Sequence, residues 1–347
     1  MERDEQKFTP IAEVGEFGLI DRISQIIGPP VDENVRVGMG DDAAVYRVCE
    51  DLLHVITSDV LFEGVHFDRT FMPLEHLGYK SITINVSDVI AMNASPLYAT
   101  VTLGIPNNFS VEMAEALYEG ISNATSAYDM EVVGGDTNAS QRLSLSVTAV
   151  GNVAEDAVVY RSGARPGDLI VVTGDIGASY AGLKVLLEQR KQFEEKGEEG
   201  FQPDLDPYSR VLQRHLRPVT RLDVIDILQR SDVQPRAMID ISDGLASEVH
   251  HICEVSDCGA VVREEDLPID GLTRVVADEF DETPEQYALF GGEDYELVCA
   301  MPEEDYERLS DELFTAVGRF TVPQEGVNFE TKSGPQVSLE ARGFQHF

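Results

Sequence analysis

The 347-residue sequence has no tryptophan, four cysteines, and 26 Lys and Arg against 63 Asp and Glu, for a net charge of -37. The shortage of basic residues removes the electrostatic footprint that nucleic acid and anionic membrane surfaces need. An anionic ligand must instead be met locally, by an Arg or Lys, a helix N-terminus or a metal cation. Of Cys49, Cys253, Cys258 and Cys299 only the middle two are close, and nothing completes a zinc site. They read as free thiols of a reducing compartment. The opening MERDEQKFTP is charged and lacks the apolar region of a secretory signal, and no apolar run is long enough to span a bilayer. The expectation is a cytoplasmic protein with no nucleic-acid and no membrane partner. P-loop, H-R-D kinase and G-x-S-x-G signatures are all missing.

What is present suits two domains: the length is comfortable for two cores, and 43% of the residues are apolar. Strand-like and helix-like segments alternate, which points to mixed α/β and α+β architecture. Strands are expected over 52–58, 97–105 and 143–150, and helices over 74–91, after Pro73, and 111–128. A boundary is expected near RSGARPGD, dividing the chain into domains 1–155 and 156–347. Further helices are expected over 178–190, 209–216 and 244–256, and short strands at AMIDIS and YELVCAM. Residues 191–207, charged and apolar-poor, read as a solvated loop with no catalytic role.

The aspartates carry the chemistry. Asp59 and Asp136 read as strand ends, Asp240 and Asp243 follow AMI, Asp41 and Asp42 precede an apolar run, and Asp88 interrupts an apolar helix. One Asp after a strand is commonly a turn residue or helix cap. As a group they differ. Strand C-terminal ends converge on the ligand crevice of α/β folds, and carboxylates gathered there repel unless cations lie between them. Oxygen ligands of this kind suit Mg²⁺ bridging protein to phosphate. GMGDDAAV (38–45) has dinucleotide-type glycine spacing, but two acids would oppose a pyrophosphate and the following residues look extended. A metal-bridged polyphosphate fits better, with Asp41 or Asp42 on the cation. His66 lies near the Asp59 strand; from the sequence alone an ordinary partly buried histidine is the slightly favoured reading.

GEFGLI, GDDAAV, TSDVLFEGVHF, NVSDVIAMNA, GGDT, RSGARPGD, QRHLRP, IDISDGL and GGEDYEL occur in the order found in the thiamine-monophosphate kinase family, which this chain resembles from about residue 14 to its end. The resemblance implies a two-domain fold similar to aminoimidazole ribonucleotide synthetase, α/β plus α+β, with a homodimer formed through a barrel-like sheet of the N-terminal domain. It implies transfer of the ATP γ-phosphoryl to thiamine monophosphate, giving thiamine diphosphate. Carried over motif by motif, Asp42, Thr57, Ser58, Asp59, Asp88, Asp136, Asp240 and Asp243 would hold several Mg²⁺ ions. Tyr118, Gly135, Asp136, Arg161 and Ser242 would contact ATP, and His66, Glu293 and Phe344 the acceptor. Asn93 and Phe344 stand where the family commonly has Gly and Trp. The acceptor nucleophile would be an already ionised phosphate oxygen, so no general base is required. A related synthetase that uses a reactive N-terminal cysteine is disfavoured, since the first is Cys49. A non-catalytic nucleotide- or metal-binding module is the alternative from another class.

Overall fold

The computed structural model describes residues 15–197, 203–309 and 313–341. The first half comprises helix α1 (Gly15–Ile27), strands β1 (Val35–Val37), β2 (Ala44–Cys49) and β3 (Leu52–Phe62), helix α2 (Leu74–Ala91), strand β4 (Ser95–Ile105), helix α3 (Val111–Ala127), and strands β5 (Glu131–Ala139) and β6 (Ser144–Ala154). They form a six-stranded sheet in the order β1-β2-β3-β6-β4-β5, antiparallel except between β4 and β5. Alternation along β6 puts Leu145, Val147, Ala149 and Val153 against the helices. The opposite face carries Ser58, Val60, Phe62, Tyr98 and Thr100 and is exposed. Among the described residues no closed barrel forms: β1 and β5 remain as edges.

Helix α2 is buried nearly all round, because the sheet and α3 cover one side and the second domain the other. Two glycines allow its contact with α3. A Cβ on Gly78 would lie 2.0 Å from the Leu117 carbonyl oxygen, and one on Gly120 would lie 1.8 Å from that of Glu75. Asn93, in the left-handed conformation at φ 56°, turns the chain out of α2, and its Nδ2 donates to the Ala157 carbonyl. Asn is one of the few non-glycine residues that adopts this conformation readily, so the turn survives the departure from Gly.

The second half comprises β7 (Leu169–Thr173), α4 (Ala178–Lys196), α5 (Ser209–Leu216), α6 (Leu222–Ser231), β8 (Ala237–Asp240), α7 (Leu245–Ser256), β9 (Gly259–Arg263), α8 (Gly271–Glu279), α9 (Pro284–Phe290), β10 (Leu297–Met301), α10 (Glu303–Tyr306), β11 (Phe314–Thr321), β12 (Val327–Glu330) and β13 (Gln336–Ser338). Its sheet runs β13-β12-β9-β11-β7-β10-β8, antiparallel except between β9 and β12. One apolar core runs from the first sheet through α2 and α3 into β7, β8 and β10, so the two sheets share an interior.

Three expectations need correcting. Asp59 lies inside β3, which stays paired with β6 through Phe62↔Ser144. Asp136 lies inside β5, paired with β4 through Ala139. Helix α4 continues six residues into the expected loop: its Lys, Gln and Glu are good helix formers, Arg190 pairs with Glu194 one turn on, and Gly197 ends it.

Candidate active site

Four segments meet where the two domains face each other. Asp42 enters from the turn before β2, Thr57 and Asp59 from the helix-facing side of β3, Asp88 from α2, and Asp240 from the end of β8. Carboxylate oxygens of Asp42, Asp88 and Asp240 all lie within 4.8 Å of one another. Each is fixed by a donor. Thr57 Oγ1 donates to Asp88 Oδ2 at 2.6 Å, and Ser87 Oγ to Asp240 Oδ2 at 2.7 Å. Arg161 grips Asp42 Oδ1 through Nε at 2.9 Å and Nη2 at 2.5 Å. Burial raises the Asp59 carboxyl above its usual range, and the Asn85 amide oxygen accepts from the Asp59 backbone N–H at 3.1 Å.

The electrostatics are unfavourable without a cation. Burial, then the charges of Asp59, Asp240 and Asp42, push the Asp88 carboxyl well above the usual range. Burial and the charge of Asp42 push Asp240 up to about 7. Burial raises Asp42 as well, against the opposing pull of Arg161. Asp42 Oδ2 is buried and has no hydrogen-bond partner. An orphaned carboxylate oxygen facing two further carboxylates is the donor set of a hard dication, and these residues fit Mg²⁺.

The other expected residues are distributed around this group. The Asp243 backbone N–H donates to Glu248 Oε1 at 2.9 Å, and Glu248 is a buried acid that the sequence reading missed. Burial, then Asp240 and Asp243, push Glu248 well above its usual range. It lies between Leu245-Ala246-Ser247 and Val249, and an acid so close to apolar residues was the available signal. Ser58 points to the exposed face of the sheet, within hydrogen-bond distance of Thr148 Oγ1 at 2.9 Å and donating to the Val147 carbonyl, so only its backbone lies on the Asp59 side. Asp136 is exposed on β5, accepting from the Thr137 N–H and from Asn138 Nδ2, and is not part of the Asp42–Asp88–Asp240 group. Gly135 beside it presses on the Val101 carbonyl, which a Cβ would approach to 1.9 Å. Tyr118 is partly exposed on α3.

A second cluster adjoins through the GGEDYEL loop. The Ser242 carbonyl accepts from the Glu293 N–H at 2.7 Å, and the Ile241 carbonyl from Tyr295 N–H at 2.9 Å. A Cβ on Gly292 would lie 2.3 Å from the Ser242 oxygen, which explains the glycine. Glu293 and Tyr295 both adopt left-handed backbone, at φ 67° and 53°. Such strain persists only where the surroundings impose it, and it concentrates at functional sites. Despite burial, the Lys80 ammonium, with smaller contributions from the His215 and His66 rings, holds the Glu293 carboxyl below its usual range. His66 Nδ1 accepts from the Phe62 N–H at 2.9 Å. Lys80 and His215 were not singled out in the sequence, although Lys80 interrupts the same apolar helix as Asp88. Phe344 lies outside the described residues.

Comparison with known proteins places this geometry in a class. The family model described as AIR synthase related protein, N-terminal domain, matches residues 40–153, and its C-terminal counterpart matches residues 165–322. The thiamine-monophosphate kinase of Aquifex aeolicus (strain VF5) is 36% identical over 338 residues, covering 97% of this chain and 99% of the relative. That of Bacillus subtilis (strain 168) is 32% identical over 324 residues, covering 90% and 94%. The solved structure of AaThiL complexed with AMPPCP and TMP superposes with a TM-score of 0.83 at 36% identity, covering 98% of this chain and 99% of that one. Hydrogenase maturation protein HypE in complex with ATP, at 20% identity and TM-score 0.66, shares the fold. The two domains are therefore those of the AIR synthase-related proteins. Within that class the chain belongs to the thiamine-monophosphate kinase family, which are ATP-dependent phosphotransferases.

Proposed function

We propose that this chain transfers the γ-phosphoryl of ATP in line to the phosphate of thiamine monophosphate, giving thiamine diphosphate and ADP. The observation that carries the reading is the Asp42–Asp88–Asp240 group, with Asp42 and Asp240 buried and Asp88 half-buried, built from both domains and bordered by Arg161. Mg²⁺ ions held there, with Thr57, Ser58, Asp59 and Asp243 completing their coordination, and a further Mg²⁺ met by Asp136 from the exposed strand β5, supply charge neutralisation between the two anions. Two unit charges about 4 Å apart repel by roughly 4 kcal/mol at an effective dielectric near 20, so neutralisation decides whether the substrates can meet. Arg161 is held rigidly by Asp42 and presents the remainder of its guanidinium to the ATP phosphates, with Tyr118, Gly135, Asp136 and Ser242 as further contacts. Glu293, His66 and Phe344 bind the acceptor, the Glu293 carboxylate complementing a permanently cationic thiazolium. No side chain needs to remove a proton, because the attacking phosphate oxygen is already ionised.

The domains divide near residue 155, the first carrying the sheet and α2, the second closing over them. The exposed sheet face with Val60, Phe62 and Tyr98 is read as the homodimer surface. No helix among the described residues is long and apolar enough to cross a membrane; the free thiols support a cytoplasmic setting. The test is ADP release with ATP and Mg²⁺, with and without thiamine monophosphate, while thiamine diphosphate is followed by chromatography. Product that requires both thiamine monophosphate and Mg²⁺ is expected. ATP binding with no acceptor-dependent turnover would refute the reading.

A further inference from the structure

Lys80 sits in the middle of α2, in the first domain, yet its side chain is 1% exposed and its partners belong to the second. Nζ lies 2.7 Å from Glu293 Oε1 and donates to the His215 carbonyl oxygen at 3.3 Å. The other Glu293 oxygen, Oε2, lies 3.3 Å from His215 Nδ1, which is also 3.3 Å from Ser179 Oγ. Both oxygens of one carboxylate are thus held, one by a buried ammonium and one by a buried imidazole. His215 is kept neutral by burial and by Lys80 itself, so Lys80 is the full positive charge of the pair.

A buried lysine is expensive, and an apolar side chain would usually fill such a place at lower cost. Packing alone does not explain it. Nor does the metal cluster, because the described partners of Lys80 are Glu293 and His215 and none of the clustered aspartates. Its charge goes to a carboxylate whose backbone is already strained into the left-handed region and anchored to Ser242. Backbone and side chain of Glu293 are therefore fixed by independent means. That over-determination is expected of a group that must hold both its position and its charge.

We propose that Lys80 is the positioning residue of Glu293: from the opposite domain it holds the acceptor-binding carboxylate ionised and oriented, so that the acceptor's cationic ring meets a preformed negative charge only when the two domains are packed together. This rests on the reading that Glu293 binds the acceptor.

Lys80→Met keeps the length of the stem and removes the charge. It is expected to raise KM for thiamine monophosphate by about tenfold or more, with KM for ATP changed by less than about twofold. In a Glu293→Gln background the same substitution is expected to add less than about twofold, because Lys80 acts through the carboxylate. Effects that multiply independently, or an equal rise in KM for ATP, overturn the proposal. Wild-type protein is assayed first. Absence of turnover there would count against the proposed function, and the inference is then read from the Glu293 carboxyl carbon by ¹³C NMR. Its titration midpoint should rise in Lys80→Met, since the lost ammonium is what holds it down; an unchanged midpoint overturns the inference. Should Lys80→Met not accumulate as folded protein, Lys80→Met/Glu293→Met is expected to restore folding by removing the orphaned carboxylate. Failure to restore it overturns the proposal as well.

Discussion

Asp88→Asn isolates the charge problem at the centre of the cleft. The side chain is half-buried and accepts from Thr57 Oγ1, and an Asn keeps both the shape and an acceptor for that bond. What disappears is one negative charge within 4.8 Å of oxygens of Asp42 and Asp240. At an effective dielectric near 20, each like-charge pair at that separation opposes folding by about 3 kcal/mol. Proton uptake relieves part of this, and about 1–3 kcal/mol remains near pH 8. The direction with pH follows from the raised carboxyls. A group raised in the folded state favours folding below its ordinary value of 3.8 and loses that contribution as pH climbs through the folded value, about 7 for Asp240. The metal-free wild type is therefore penalised more at pH 8 than at pH 5, and the gain from Asn grows over that range. For a chain of this size about 2 °C per kcal/mol applies, so Asp88→Asn in EDTA should melt about 2–6 °C above wild type at pH 8. Saturating Mg²⁺ should do the reverse: at about 100 times Kd it adds roughly 2.7 kcal/mol to wild type and little to the variant. The assay is thermal unfolding in EDTA and in MgCl₂, with ionic strength matched by NaCl because the net charge of -37 responds to any salt. A lower metal-free midpoint for Asp88→Asn, or an undiminished Mg²⁺ response, would refute the reasoning.

Gly120→Ala places a Cβ 1.8 Å from the Glu75 carbonyl and must push α3 off α2, so a loss of about 1–3 kcal/mol is expected in urea unfolding. An unchanged midpoint would mean that the helices separate freely. His215 is depressed from 6.5 to about 3, chiefly by burial, so the unfolded chain takes up its proton first and stability falls as pH drops below 6.5. About 1 kcal/mol of the loss between pH 7 and pH 5.5 should vanish in His215→Gln, compared by urea unfolding at the two pH values; an equally steep acid limb would rule His215 out. Because 63 acids face 26 basic residues, self-repulsion should make the unfolding midpoint rise with KCl from about 0.05 to 1 M. A midpoint that falls would show that local ion pairs outweigh the overall repulsion.

Much of the fold was legible because its signals are local. Pro73 and the run after it set the start of α2, and alternation set β6. Strand length was less legible. Asp59 and Asp136 looked like ends, since Asp usually leaves a strand, and only the pairing of β3 with β6 and of β5 with β4 carried the strands past them. The acids at positions 42, 59, 88 and 240 stood out as charges inside apolar sequence. Lys80 and Glu248 carried a similar signal but were passed over as part of the helices expected over 74–91 and 244–256.

By itself the sequence determined composition-level and local properties: the strong negative charge, most of the helix and strand assignments, and the motif order that placed the chain in its family. Those depend on residue type and on neighbours a few positions away. Which carboxylates approach one another, that Asp136 stands apart from the Asp42–Asp88–Asp240 group, and that Lys80 reaches Glu293 some two hundred residues along the chain were decided only by the tertiary structure. Charge interactions act through space and through the burial around them, and both are set by the packing of α2 between the two sheets rather than by spacing along the chain.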